Sequence, residues 1–355
     1  MAGITITPDS GTQFEAGAAE YNSVDRLGDN DYIVAYRDNN DGNKGKINVG
    51  SRTGTSISIS EANAVVFNNA STDMITIRAL SSSLVIISYR NVDSKKPYVV
   101  AATISGTTIT LGTPVMVINS AINYGITVAS LGGVNFVVSV ETLVYLQGFL
   151  SYVGSISGTT ITLGSAQQTS SAYFTYQLSS VGLDSTHFAV IMNKSNVVAV
   201  VAGVVDLALK TITFGAVLMW SGDIISGNPN NPSISAFDST HFITGHIAGG
   251  STDFCINAYS VDLSTLVITR GVQIVTGAGT DKSNHSLCAI TSNNFLVAYY
   301  TTTGTQAEIR GGTLSGSNTI NWDDQGAVIF DNGLSAYTAL CRLTDDYFIV
   351  GYKSG

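Results

Sequence analysis

Charged residues make up only 12% of this 355-residue chain, and prolines and cysteines number five and three. Each scarcity excludes something. Sixteen Lys and Arg stand against 25 Asp and Glu, a net charge of −9 with no basic block. That balance argues against a nucleic-acid partner, since phosphate binding needs clustered cations to displace counterions. The three cysteines (Cys255, Cys288 and Cys341) cannot all pair with one another, and their spacing fits no metal site. They read as buried small apolar side chains, and neither metal nor cofactor is expected.

Helix signals are nearly missing: there is no capping box ahead of a 3.6-residue stripe and no long charged amphipathic run. The most apolar segment, Val197–Leu209, is 13 residues long. A bilayer span needs about 20, so no membrane insertion is expected. The opening MAGITITPDS lacks the basic start and apolar core of a signal peptide, and synthesis without Sec-type export is the expectation.

What is present is apolar residues at 44%, spread evenly, with 36 glycines and many Ser and Thr. Such a mix suits an all-β protein rich in turns. The octapeptide SGTTITLG occurs twice, at Ser105–Gly112 and Ser157–Gly164. Upstream of each copy lies an apolar run introduced by a polar turn, as in LDSTHFAVIM (Leu183–Met192) and FDSTHFITGH (Phe237–His246). Taking the first residue of the run as an anchor, the copies start at Tyr32, Val85, Phe136, Phe188, Phe242, Phe295 and Phe348, at intervals of 51 to 54 residues.

Five residues before every anchor stands an apolar residue: Leu27, Leu80, Leu131, Leu183, Phe237, Ile290 and Leu343. Three residues after it the side chain is small (Ala35, Ser88, Ser139, Gly245, Ala298, Gly351), with Ile191 the exception. Each unit divides into four short strands. In unit 4 they are expected at Gln177–Leu183, Phe188–Asn193, Val197–Val205 and Thr211–Gly215, with DSTH and SGTT as the tight turns. A period near 50 with four strands per unit predicts one domain over residues 1–355, a seven-bladed β-propeller with apolar side chains on both faces of each blade. Small residues on second strands suit the crowded region near the axis.

Unit 7 has only two strands before Gly355. Ile4 precedes Tyr32 by 28 residues, as Ile57 precedes Val85, so Ile4–Thr7 is expected as the outer strand of a closing blade shared by both termini. No third strand is visible there. The blade has three strands or takes one from another molecule, in an oligomer or otherwise.

First-to-second and third-to-fourth turns share one end of the ring, and they are stereotyped. The other connections share the opposite end, and there the copies diverge: RDNNDGNKGK (Arg37–Lys46), RNVDSKKP (Arg90–Pro97), ETLVYLQG (Glu141–Gly148) and WSGDIISGNPNNP (Trp220–Pro232). Divergence on one rim suits a scaffold that carries recognition on its loops. The rim candidates are Arg37, Asp38, Asp41, Arg90, Asp93, Glu141, Trp220, Asp223 and Asn228. Asp38, Asp41 and Asn43 approach a calcium loop but miss its spacing. Tyr36, Tyr89, Tyr299 and Tyr352 recur four residues after their anchors; their rings line a rim for sugars or pack between blades. Asp25, Arg26, Arg78 and Arg342 fall on first strands, near the channel, as an anion site or structural ion pairs. His187 and His241 read as turn residues.

Propeller glycosidases set paired carboxylates in the axial funnel. Here Asp25 and Glu141 make a weak pair, and G-x-S-x-G, HExxH, a phosphate loop and the sialidase S-x-D-x-G-x-T-W box are all missing. The I-S-G-T-T-I-T-L-G unit followed by L-D-S-T-H-F-x-V resembles repeats in propellers of phage and bacterial origin, some of them tail-fibre or virion surface proteins. The G-H and W-D signatures of WD repeats do not recur. The resemblance covers essentially the whole chain and implies a non-enzymatic virion or appendage component, attached to a cell-surface glycan or to other structural proteins. The alternative is a carbohydrate-active enzyme or a stand-alone lectin.

Overall fold

Turn chemistry and strand pattern come together unit by unit. The computed structural model describes residues 6–7, 11–123, 125–141, 148–169, 175–194, 197–220, 232–247, 254–276, 282–301, 306–316, 318–322, 327–333 and 336–354. These form antiparallel strands and turns with one 3-10 turn, Glu61–Asn63, and no α-helix among the described residues. The strands of unit 4 are Thr175–Gly182, His187–Lys194, Val197–Asp206 and Thr211–Phe214, paired in chain order.

The DSTH turn is closed by Asp184, whose Oδ1 accepts the N–H groups of Thr186 and His187, each at 2.7 Å. Asp238 does the same for Thr240 and His241. Burial works to raise the pKa of both aspartates, but these hydrogen bonds outweigh it and hold both below the ordinary value.

Units 2 to 6 carry one strand more than the four expected. Third strands are nine or ten residues long, whereas the fourth has four, as in Phe149–Ser157 and Thr160–Leu163. The fourth strand therefore covers only half of that edge. The chain then returns to pair with the other half through Val115–Met116, Gln167–Gln168, Leu218–Trp220, Ile274–Thr276 and Val328–Asp331. Backbone groups left open by a short outer strand are thus satisfied. In unit 1 the returning segment runs straight on into the next unit as one 17-residue strand, Val65–Ser81.

The octapeptide serves this geometry at both ends. Gly106 and Gly158 adopt φ of +58° and +62° in the turn, a region that costs an L-residue about 1–2 kcal/mol. Its closing glycine lies against the neighbouring unit: a Cβ on Gly112 would stand 2.2 Å from the Thr159 carbonyl oxygen, and one on Gly164 2.6 Å from that of Lys210.

Cores form between successive sheets. Ile33 and Ile47 of unit 1 pack with Ile77, Val85 and Ile87 of unit 2, all fully buried. The run Val198–Ala202 is buried on both faces, which is why its apolar residues do not alternate with polar ones. In units 3, 4 and 6 the anchor ring lies over the third-strand residue paired with it. Phe136 covers Gly154, Phe188 covers Gly203, and Phe295 covers Gly312. Unit 2 balances the same volume with Val85 and Ala102, and unit 5 stacks Phe242 on Tyr259 at 4.9 Å.

Unit 7 is a two-stranded sheet, Ala336–Arg342 with Phe348–Lys353. Most of the expected outer strand lies outside the described residues. Ile6 and Thr7 are described and carry no strand, although Ile6 packs against the core cluster of Ile290, Leu296, Ala298, Ile309 and Leu340. Cys255 and Cys341 are buried, Cys288 is half-buried, and all three thiols are free.

Candidate functional site

Nine residues before the anchor, six units carry a hydroxyl (Ser23, Thr76, Thr127, Ser179, Ser233, Ser286) and the seventh has Ala339. Directly across stands the small residue of the second strand: Ala35 opposite Ser23, Ser88 opposite Thr76, Ser139 opposite Thr127. The small partner leaves the hydroxyl free to reach sideways to the next unit. Ser23 Oγ accepts the Ile77 N–H at 3.1 Å, Thr127 Oγ1 that of Ser180 at 3.2 Å, and Ser286 Oγ that of Leu340 at 3.0 Å. Two residues further on, Ser235 accepts from Ala289 at 2.9 Å and Asp25 from Ala79 at 2.8 Å.

First strands therefore lie side by side, and Ala336–Arg342 packs on Ala19–Arg26. They enclose a polar cavity of about 220 Å³ to which every unit contributes, through Tyr21, Met74, Ile126, Gln177, Ser233, His285 and Tyr337.

Five of the seven first strands are bulged near their start. The register skips between Glu20 and Ser23, Asp73 and Thr76, Thr175 and Leu178, Ser283 and Ser286, and Ala336 and Ala339. In units 1, 2, 6 and 7 the two bulged residues oppose a single tyrosine, one of Tyr36, Tyr89, Tyr299 and Tyr352. The recurring tyrosines thus mark the bulged strands. Tyr36, Tyr89 and Tyr299 are buried rather than on a rim. Their phenols are held protonated by burial, with the pKa of Tyr89 raised well above the ordinary value.

Bulging turns other side chains toward the axis. Tyr21, Met74 and Tyr337 adopt φ of 53°, 52° and 55°, a left-handed conformation uncommon outside glycine. All three line the cavity at the end that carries the variable connections. The Tyr21 and Tyr337 rings meet at 5.0 Å with a 42° tilt. Burial raises the pKa of both phenols.

Two rim candidates lock these bulges from behind. Arg37 pairs with Glu20 and sits 4.7 Å from the Tyr21 ring centroid; Lys353 reaches Glu20 at 2.8 Å. Arg90 grips Asp73 through Nε at 2.8 Å and Nη2 at 2.5 Å, and donates to the Ile122 and Asn123 carbonyls. Asp38 is buried, accepting from the Asn40 and Asp41 amides and from Lys46. Asp41 is half-buried beside Lys44 at 2.7 Å, and that hydrogen bond lowers its pKa. Glu141 is buried and accepts the Asn123 N–H. Asp93 is exposed on the rim. Trp220 ends its strand, while Asp223 and Asn228 lie outside the described residues.

The four channel candidates separate. Arg78 lines the cavity. Asp25 is tied to the Ala79 and Arg26 amides; burial raises its pKa, opposed first by the Arg78 charge. Arg26 and Arg342 pair instead with Asp29 and Asp345 in the tight turns. His285, which the sequence did not single out, is buried against Phe254 with Nε2 3.2 Å from the Gly245 carbonyl. Burial pulls its pKa down to about 4. Among the described residues no group of three or more metal-ligating side chains is gathered.

No protein-family model and no curated protein matches the sequence. Solved structures do match in fold. A protein from Lactobacillus plantarum superposes with a TM-score of 0.58 at 12% identity, over 93% of this chain and 87% of its own. AofleA from Arthrobotrys oligospora gives 0.53 at 10% identity, over 95% and 90%. The Aleuria aurantia lectin in complex with Fucα1-6GlcNAc gives 0.52 at 11%, over 88% and 96%. With antiparallel sheets, first strands that share one cavity and these neighbours, the chain has a β-propeller-type fold.

Proposed function

We propose that the chain is a seven-bladed propeller, completed at the seam between its termini, that works as a non-enzymatic recognition module. It attaches to a cell-surface glycan, or docks another structural protein, through the end bearing the variable connections. The observation that carries this reading is the contrast between the two ends. DSTH and SGTT turns at one end are spent on internal hydrogen bonds and tight strand pairing, while the connections at the other end, where the first strands are bulged, differ in sequence from unit to unit.

Fold similarity to a lectin supports a glycan as the ligand, and the repeat resemblance supports a virion or surface-appendage setting. A non-enzymatic role draws support from Asp25 and Glu141, which both accept backbone N–H bonds. A glycan array paired with hydrolysis assays on the bound glycans tests the reading. Binding without turnover is expected. Turnover abolished by Asp25→Asn or Glu141→Gln would overturn it in favour of a carbohydrate-active enzyme.

A further inference from the structure

We infer that the ligand seat is the axial mouth framed by Tyr21, Met74 and Tyr337, and that it takes a single terminal sugar residue without net charge. This rests on the glycan-recognition reading and names the site and ligand class within it.

Three non-glycine residues in three adjacent units, the seventh, first and second, hold φ of 52° to 55° at equivalent places. Bulges of this kind re-aim side chains, and strained backbone persists where the surroundings enforce it. Here the enforcement is visible: Glu20 with Arg37 and Asp73 with Arg90 are cross-strand ion pairs at the flank of the bulge in units 1 and 2. What the strain achieves is to turn two tyrosine rings and a thioether toward one opening.

The chemistry of the opening then selects the ligand. The Tyr21 and Tyr337 rings touch each other and together form an apolar ledge on which one face of a sugar ring can rest. Below it lie Asn22, Ser23, Thr76, Gln177 and Ser179, a set of donors and acceptors suited to ligand hydroxyls. Among the described residues, charges around the mouth are consumed in pairs, with Glu20 shared by Arg37 and Lys353, and Asp73 held by Arg90. Arg78, deeper in the cavity, faces the charge of Asp25, and His285 is neutral near pH 7. Among the described residues, a carboxylated sugar would find each of these cations already facing a carboxylate, whereas a neutral sugar loses no ionic solvation on entry. About 220 Å³ of space suits one sugar ring, not an oligosaccharide.

The test uses the full chain, with saturation-transfer NMR against free methyl glycosides, neutral (galactoside, glucoside, mannoside, fucoside) and acidic (sialoside, galacturonide). Wild type is expected to respond to neutral glycosides. Tyr21→Gly and Tyr337→Gly, whose backbone φ suits glycine, are expected to weaken binding about tenfold or more with the melting temperature unchanged, and Tyr21→Phe to retain binding. If both glycine variants are folded and bind an array-positive glycan as wild type does, the seat is elsewhere and this inference fails while glycan recognition stands. Preference for the acidic glycosides also overturns it. An array without any bound glycan removes the glycan-recognition reading and this inference with it.

Discussion

Exchanging volume between an anchor and its cross-strand partner tests the packing rule that repeats from unit to unit. Phe136 is fully buried and pairs with Gly154, where an added Cβ would stand 2.1 Å from ring Cζ and 2.5 Å from both Cε atoms. Gly154→Ala therefore drives a methyl group into an aromatic ring held on all sides. Overpacking of this kind costs about 1–3 kcal/mol. Phe136→Val removes most of a buried ring and leaves a cavity, at a cost of roughly 2–4 kcal/mol. Unit 2 already contains the combined solution: Val85 pairs with Ala102, and both are fully buried. The double variant reproduces that pair, so the two changes should compensate, with a coupling of about 2 kcal/mol. Urea unfolding of the four proteins, compared at matched m-values, measures the cycle. Additivity within about 0.5 kcal/mol would refute the reasoning, because it would mean that ring and glycine do not share one volume.

Arg90→Ala should destabilise the fold by about 3–5 kcal/mol, since it leaves Asp73, only 5% exposed, as an unpaired buried carboxylate; a shift below about 1 kcal/mol in urea unfolding would show that the pair is not holding the bulge. His285 gives the fold an acid-sensitive window. Its folded pKa is near 4 against 6.5 for the ordinary side chain, so on acidification the unfolded state takes up the proton first. The contribution of His285 should cost roughly 3 kcal/mol in all between about pH 6.5 and pH 4 and level off below that, where only the carboxylates with lowered pKa go on titrating. His285→Gln should flatten that part of the profile in thermal melts across pH, and an unchanged slope would contradict the burial argument.

Much of the fold is legible in the sequence because the information is local. Turn chemistry at Asp184 and Gly106, and apolar runs of fixed spacing, placed the strands of unit 4 within two residues of Thr175–Gly182, His187–Lys194 and Val197–Asp206. The fifth strands are not legible in the sequence because they are two to four residues long. Their pairing depends on the length mismatch between third and fourth strands, not on their own composition. The site was legible only as unexplained recurrences. Tyrosines four residues after an anchor and hydroxyls nine before it are visible in the chain, but the first mark bulges and the second stitch neighbouring units together. Both meanings need the register.

The sequence by itself determined the repeat, its strands and turns and its two unlike ends, because hydrophobic period and turn propensity act over a few residues. Only the tertiary structure decided that Arg37 and Arg90 face inward onto Glu20 and Asp73, that Tyr36 and Tyr89 are buried, and that Tyr21, Met74 and Tyr337 share one opening. A side chain's direction after a bulge, and its partner across units some 50 residues apart, are set by packing around an axis that no local stretch of chain encodes.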